Sequence, residues 1–91
     1  MMLFLVIEHF KNDDAQPVRE RFVRAGRMMP EGVVYHGSWI DPATTRCFQI
    51  MEAENAGLLR VWTANWEDLV EFEIIPVLSS KEYWEKFGQP T

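Results

Sequence analysis

The chain has 91 residues, of which 47% are hydrophobic and 25% charged, so it is predicted to form one globular domain over residues 1–91. Nine basic against 14 acidic residues give a net charge of −5, which argues against nucleic acid as a partner, because binding a phosphate backbone needs surplus positive charge. A single cysteine excludes an internal disulfide. No leader signal or bilayer-length apolar run is found, so a cytoplasmic location without a membrane partner is expected.

The first two predicted elements are a strand and a helix. Residues 2–10 are apolar and rich in aromatic and β-branched types, which is typical of a buried strand. The following helix is expected to be capped by Asp13 or Asp14 and to end at Pro30, because a residue before proline is disfavoured in the α region. Apolar residues at helical spacing give this helix one apolar face: Val18, Phe22, Ala25 and Met29.

The middle of the chain predicts a hairpin, a second helix and a fourth strand. Residues 33–40 and 45–53 are the expected hairpin strands, and Asn55 is expected to cap the second helix. This helix also has one apolar face: Leu59, Trp62, Trp66 and Leu69. Residues 70–78 predict a fourth strand at a sheet edge, because Pro76 cannot donate to a strand ladder.

A short helix is predicted for residues 79–88. Ser79 and Glu82 have the spacing of a capping box, and Gly88 and Pro90 are stop signals. A helix of about eight residues is unstable alone in water, so its aromatic residues are expected to dock on another surface.

The element order βαββαβ plus a terminal helix predicts an α+β, ferredoxin-like fold with a four-stranded antiparallel sheet in the order 4-1-3-2. Both main helices then cover one face of the sheet. Strand alternation assigns to that face Leu3, Leu5, Ile7, Val33, Tyr35, Trp39, Phe48, Ile50, Phe72 and Ile74. The opposite face receives Phe4, Val6, Glu8, Phe10, Val34, His36, Ser38, Ile40, Cys47, Gln49, Met51, Glu71, Glu73, Ile75 and Val77. For the second strand the reverse assignment stays open.

The opposite face mixes large apolar and polar groups, which favours a cavity enclosed between the sheets of a twofold homodimer. Glu8 and Glu73 would share that cavity, where one carboxyl acquires a raised pKa and acts as a general acid or base. His36 is a further candidate base. Alternatively, the carboxylates are solvated or paired with an arginine such as Arg46, and His36 is a hydrogen-bonded interface residue.

Four further residues are candidate ligand contacts on the same face: Ser38, Cys47, Gln49 and Met51. Cys47 is either a nucleophile activated by His36 or a small buried apolar residue. Trp39, Trp62 and Trp66 together suggest a flavin or haem pocket, but the helical spacing of Trp62 and Trp66 favours ordinary core packing. The His and Cys spacings do not match a metal site, and neither a metal nor a cofactor is expected.

Residues 26–32, 38–39, 46–52 and 62–77 together resemble a family of uncharacterised bacterial proteins catalogued as a domain of unknown function. That family is grouped with the dimeric α/β-barrel, ferredoxin-like proteins. The resemblance implies the fold and a barrel-like homodimer, but it implies no reaction, because no catalytic residues are assigned to the family. Haem-degrading members of the wider group carry an asparagine on the first strand. This chain has Glu8 and His9 there, which argues against a haem role.

The expected function is binding of a small, partly apolar molecule between the two sheets of a homodimer. Cofactor-free acid/base or oxygenase-type chemistry would extend that binding to catalysis by Glu8, Glu73 or His36. The alternative is a non-catalytic module that senses a ligand or contacts another protein.

Overall fold

The computed structural model describes residues 1–43 and 45–88, and within them it shows an α+β chain with one antiparallel sheet. The strands and α-helices in chain order are β1 (Met2–Phe10), α1 (Gln16–Ala25), β2 (Val34–Ile40), β3 (Arg46–Ala53), α2 (Ala56–Thr63), β4 (Val70–Val77) and α3 (Ser80–Phe87), and a 3-10 turn at Lys11–Asp13 joins β1 to α1. Across the sheet the strands lie in the order β2-β3-β1-β4, which reads β4-β1-β3-β2 from the other edge. This architecture is consistent with a ferredoxin-like fold. The expected stop signal at Pro90 lies outside the described residues.

The central strand β1 pairs antiparallel with both β3 and β4. β4 forms one edge, and Pro76 lies there opposite Phe4, so the expectation of an edge position is confirmed. β2 forms the other edge, and its register against β3 shifts between Tyr35 and Gly37. Such a bulge inserts a residue and reverses the faces of the residues beyond it.

The hydrophobic core lies between the sheet and α2. Phe4 and Val6 of β1 pack with Met51 and Ala53 of β3 against Leu59, Trp62 and Trp66. The predicted faces of β1 and β3 are therefore wrong, because the residues assigned to the uncovered face are those the helices cover. The predicted face of β4 agrees with the packing, since Phe72 and Ile74 lie against the same core.

The bulge in β2 explains a further error in the predicted faces. Tyr35 packs against the core cluster, whereas Trp39 is 63% exposed, although simple alternation assigns both to the helix side. Ser38 and Ile40 instead lie with Glu8 on the helix-facing side. The inserted residue is not recognisable from the apolar pattern, so the sequence predicted an unbroken strand.

Helix α1 ends earlier than predicted, at Ala25 rather than at Pro30. Gly26 has φ +70 and donates its backbone N–H to the carbonyl of Phe22, a left-handed conformation that glycine adopts at helix ends with little strain. Met29 consequently lies outside the helix, although it still packs against the core. α1 holds no buried residue, and Phe22 on its inner face is 42% exposed.

Both predicted caps of the later helices are confirmed. The Asn55 side chain accepts a hydrogen bond from the Leu58 N–H at 3.1 Å, and the Ser79 hydroxyl accepts one from the Glu82 N–H at 3.1 Å. α3 nevertheless has no buried residue. Tyr83 packs on Trp84 and Phe87 with ring centroids 4.9 Å apart in each pair, so the aromatic residues of α3 contact one another rather than the core.

Candidate functional site

A cavity of about 300 Å³ lies between α1 and the helix-facing side of the sheet. The sheet contributes Glu8, Phe10, Ser38, Ile40, Cys47 and Gln49 to its lining. Residues of α1 and the following segment form the opposite wall, and Trp62 and Trp66 close one side. The cavity exists because α1 packs loosely on the sheet, whereas α2 buries Leu59 and Trp62 completely or almost completely.

The Glu8 carboxyl is the principal titratable group of this cavity. β1 places Glu8 among core residues, where the side chain is only 7% exposed. Burial raises the pKa of Glu8 from 4.5 to about 7, and the positive charge of Arg27 partly opposes this increase. Within the described residues the carboxyl has no hydrogen-bond partner, and no fully inaccessible side-chain oxygen or nitrogen is left unpaired. The carboxyl oxygens of Glu8 are therefore accessible from the cavity.

Arg27 is held at the cavity through both its backbone and its side chain. Its carbonyl oxygen accepts hydrogen bonds from the indole nitrogens of Trp62 at 3.0 Å and Trp66 at 3.1 Å. Its guanidinium carbon lies 3.8 Å from the ring centroid of Tyr35 and 5.1 Å from that of Phe22. Two aromatic rings thus orient the guanidinium by cation–π contact.

Cys47, Ser38 and Gln49 complete the polar lining. Burial, together with the charge of Glu8, raises the pKa of the Cys47 thiol to about 12, although a hydrogen bond with Ser38 partly opposes this. The thiol is therefore protonated at neutral pH, and a protonated thiol is a poor nucleophile. The Ser38 hydroxyl also shares a hydrogen bond of 2.6 Å with the Tyr35 hydroxyl. Gln49 is 5% exposed, and its amide has no hydrogen-bond partner among the residues described.

The other predicted site residues lie elsewhere. Glu73 pairs in register with Ile7, on the opposite side of the sheet from Glu8, so the predicted carboxylate pair is wrong. Glu73 instead contacts the Nε2 atom of His9 at 3.3 Å. The reason is the reversed face of β1, which separates two carboxylates that the predicted faces bring together.

His36 and Met51 are also absent from the cavity. His36 Nε2 lies 2.7 Å from Glu52 Oε1 on the uncovered face, so the sheet separates its imidazole from Cys47 and the predicted contact between them is wrong. Met51 is fully buried in the core, where it contacts the side chains around α2 rather than the cavity.

The sequence did not predict Arg27 as a site residue. Its position depends on where α1 ends, and the predicted end at Pro30 places Arg27 inside a helix rather than after it. The only local signal is the neighbouring Gly26, whose φ of +70 turns the chain back toward α2. Among the residues that the structure describes, no three His, Cys, Asp or Glu side chains are arranged to hold a metal ion.

The sequence profile of a family described as a domain of unknown function (DUF3303) matches residues 2–89. Comparison with curated proteins and with solved structures gives no match. None of the described helices has the length and apolar character needed to cross a bilayer.

Proposed function

We propose that this chain, which belongs to the DUF3303 family of unknown function, binds a small, partly apolar molecule in the cavity beside Glu8. The observation that carries the proposal is the Glu8 carboxyl, which is almost completely buried, has no hydrogen-bond partner among the described residues and faces this cavity. The carboxyl oxygens are reachable from the cavity, so a ligand there can hydrogen-bond with them. A carboxyl whose pKa is raised by burial and that faces a cavity is typical of functional sites.

The walls of the cavity favour a molecule with an apolar body. Trp62 and Trp66 use their indole N–H groups on the carbonyl of Arg27, so their rings present apolar surface without a free donor. Phe10 and Val18 add further apolar lining. A volume of about 300 Å³ is at the small end of the range for ligand sites.

Glu8 can exchange a proton with the bound molecule. With a pKa of about 7, both its protonated and ionised forms are populated near neutral pH, which is the condition for efficient general acid/base catalysis. The ionised form would accept a proton from an acidic group of the ligand and become a neutral acid, and the protonated form would donate its proton to a basic group of the ligand. The reaction class we propose is therefore proton transfer without a cofactor.

We further propose that two copies pack through their uncovered sheet faces. That face carries apolar side chains from all four strands, including Leu5, Ile7, Trp39, Phe48, Ile50 and Ile75. Four strands about 4.8 Å apart and about eight residues long give a face of about 500 Å². Two such faces would bury about 1,000 Å², which reaches the lower limit for a specific interface.

A thermal-shift screen of small molecules against the wild-type protein and E8Q tests the proposed function. E54Q is the matched control, because it also removes one negative charge but at an exposed position outside the cavity. We expect compounds that raise the melting temperature of all three proteins, with chemical conversion only by the wild type and E54Q. Binding without conversion by any of them would instead support the non-catalytic, ligand-sensing module. A screen in which no compound binding this cavity raises the melting temperature would refute both the catalytic function and the ligand-sensing module.

A further inference from the structure

The charged residues that line the cavity have a positive net charge, whereas the chain as a whole is negative. The chain has a net charge of −5, yet the charged residues that line the cavity are Arg19, Arg27 and Glu8. When Glu8 is protonated, only the two arginines contribute charge to the lining. We propose that the ligand is an organic monoanion, with an apolar body and one carboxylate group that Arg27 binds; this inference rests on the proposed function.

Arg27 differs from Arg21 and Arg46, because their side chains form ion pairs with acidic residues and that of Arg27 does not within the described part of the chain. Arg21 is paired with Asp68 at 2.6 Å, and Arg46 with Asp41 at 3.3 Å. The guanidinium of Arg27 has neither a salt bridge nor a hydrogen bond with any of the described residues. Its N–H donors thus remain available to a ligand.

The surroundings of Arg27 also fix its direction. Tyr35 and Phe22 contact the guanidinium with their rings, and the backbone is held by two indole donors. A planar guanidinium that is already oriented loses little side-chain entropy when it binds a carboxylate through two parallel hydrogen bonds. Nearby low-dielectric walls strengthen such a charged contact.

Binding of the monoanion is coupled to protonation of Glu8. The charged and titratable groups around it are Arg27, Arg19 and the Cys47 thiol, and of these Arg27 acts to keep Glu8 ionised. A bound carboxylate neutralises Arg27 and adds a like charge, so it favours the protonated form of Glu8. The complex therefore takes one proton from solvent onto a Glu8 oxygen, and that O–H can donate a hydrogen bond to the ligand.

Matched carboxylate and carboxamide probes test this inference. Phenylacetate and phenylacetamide, with homologous pairs of larger and smaller apolar bodies, would be titrated into the wild type, R27Q, R27K and the control R24Q. Arg24 is an exposed α1 residue outside the cavity lining. We expect the wild type and R24Q to bind the carboxylate at least tenfold more tightly than the amide, roughly the value of one charge-assisted hydrogen bond. R27Q should lose the preference, and R27K should retain part of it.

Isothermal titration calorimetry in HEPES and in Tris at pH 8 measures how many protons are taken up when the carboxylate binds. We expect the wild type to take up about one proton per bound carboxylate, and E8Q to take up none. Equal affinity of the wild type for acid and amide, or an unchanged preference in R27Q, would overturn this inference while leaving the proposed cavity function intact. Should R27Q fail to fold, an R27K preference equal to that of the wild type would overturn it. Failure of every probe to bind would contradict the proposed function as well.

Discussion

Replacing Glu8 with glutamine is expected to stabilise the protein at alkaline pH and to have little effect at acidic pH. Burial raises the pKa of Glu8 from 4.5 to about 7 in the folded state. In the wild type, the raised pKa therefore contributes fully to the free energy of unfolding below pH 4.5, and this contribution is lost as the pH rises through 7. A difference of about 2.5 pKa units corresponds to about 3 kcal/mol in the free energy of unfolding. Glutamine stays neutral, so E8Q escapes that loss.

Urea unfolding at fixed protein concentration between pH 5 and pH 9 measures this difference, with E54Q as the control. The free energies of unfolding of wild type and E8Q should be similar near pH 5 and should diverge by about 3 kcal/mol by pH 8 to 9. For a domain of this size, that corresponds to more than about 10 °C in melting temperature. A difference between E8Q and wild type that stays constant across this range would refute the assignment of a buried, destabilised carboxylate.

Four further substitutions or modifications test the cavity and the proposed interface. The Cys47 thiol, with a pKa of about 12, should react with iodoacetamide at pH 8 at least about tenfold more slowly in the folded than in the urea-unfolded chain; equal rates would contradict its burial. G26A should destabilise the protein by about 1 kcal/mol in urea unfolding, because alanine is strained at φ +70, and an unchanged stability would argue against that backbone conformation. W62F, which removes one donor to the Arg27 carbonyl, should cost about 1 kcal/mol in the same assay, and no loss would show that the hydrogen bond contributes little. I50E should convert a dimer to a monomer in sedimentation velocity with unchanged far-UV circular dichroism; a wild type that is monomeric at all concentrations would refute the proposed interface.

The order of elements was predictable because apolar periodicity and capping residues are local properties of the sequence. Asn55 and Ser79 cap the helices that follow them, and Pro76 lies in an edge strand. These assignments need no knowledge of what packs against each element.

The faces of β1 and β3 were not predictable, because both sides of these strands are apolar. Alternation separates Leu5 and Ile7 from Phe4 and Val6, but it does not indicate which pair meets the helices. The polar residue Glu8 lies on the side that is buried, contrary to the usual rule that charged residues face solvent. Such a departure from the rule is typical of functional sites.

The grouping of polar residues was nevertheless partly accessible from sequence. Alternation alone places Cys47 and Gln49 on the same face of β3, whichever face that is. In the structure Glu8 joins them, because β1 pairs with β3 with Glu8 opposite Cys47 and Val6 opposite Gln49. Arg27 could not be added to them, because its position depends on the tertiary hydrogen bonds to Trp62 and Trp66.

The most direct test of the central claim is to locate a bound small molecule by NMR. Isotope labels on the Glu8 carboxyl and the Ile40 methyl groups report on the cavity, while Ile50 methyl groups report on the uncovered sheet face. During titration with a carboxylate from the probe series, we predict saturable shifts at Glu8 and Ile40 and unchanged signals at Ile50. Saturable shifts confined to Ile50, or none at Glu8 and Ile40, would contradict a ligand site between α1 and the sheet.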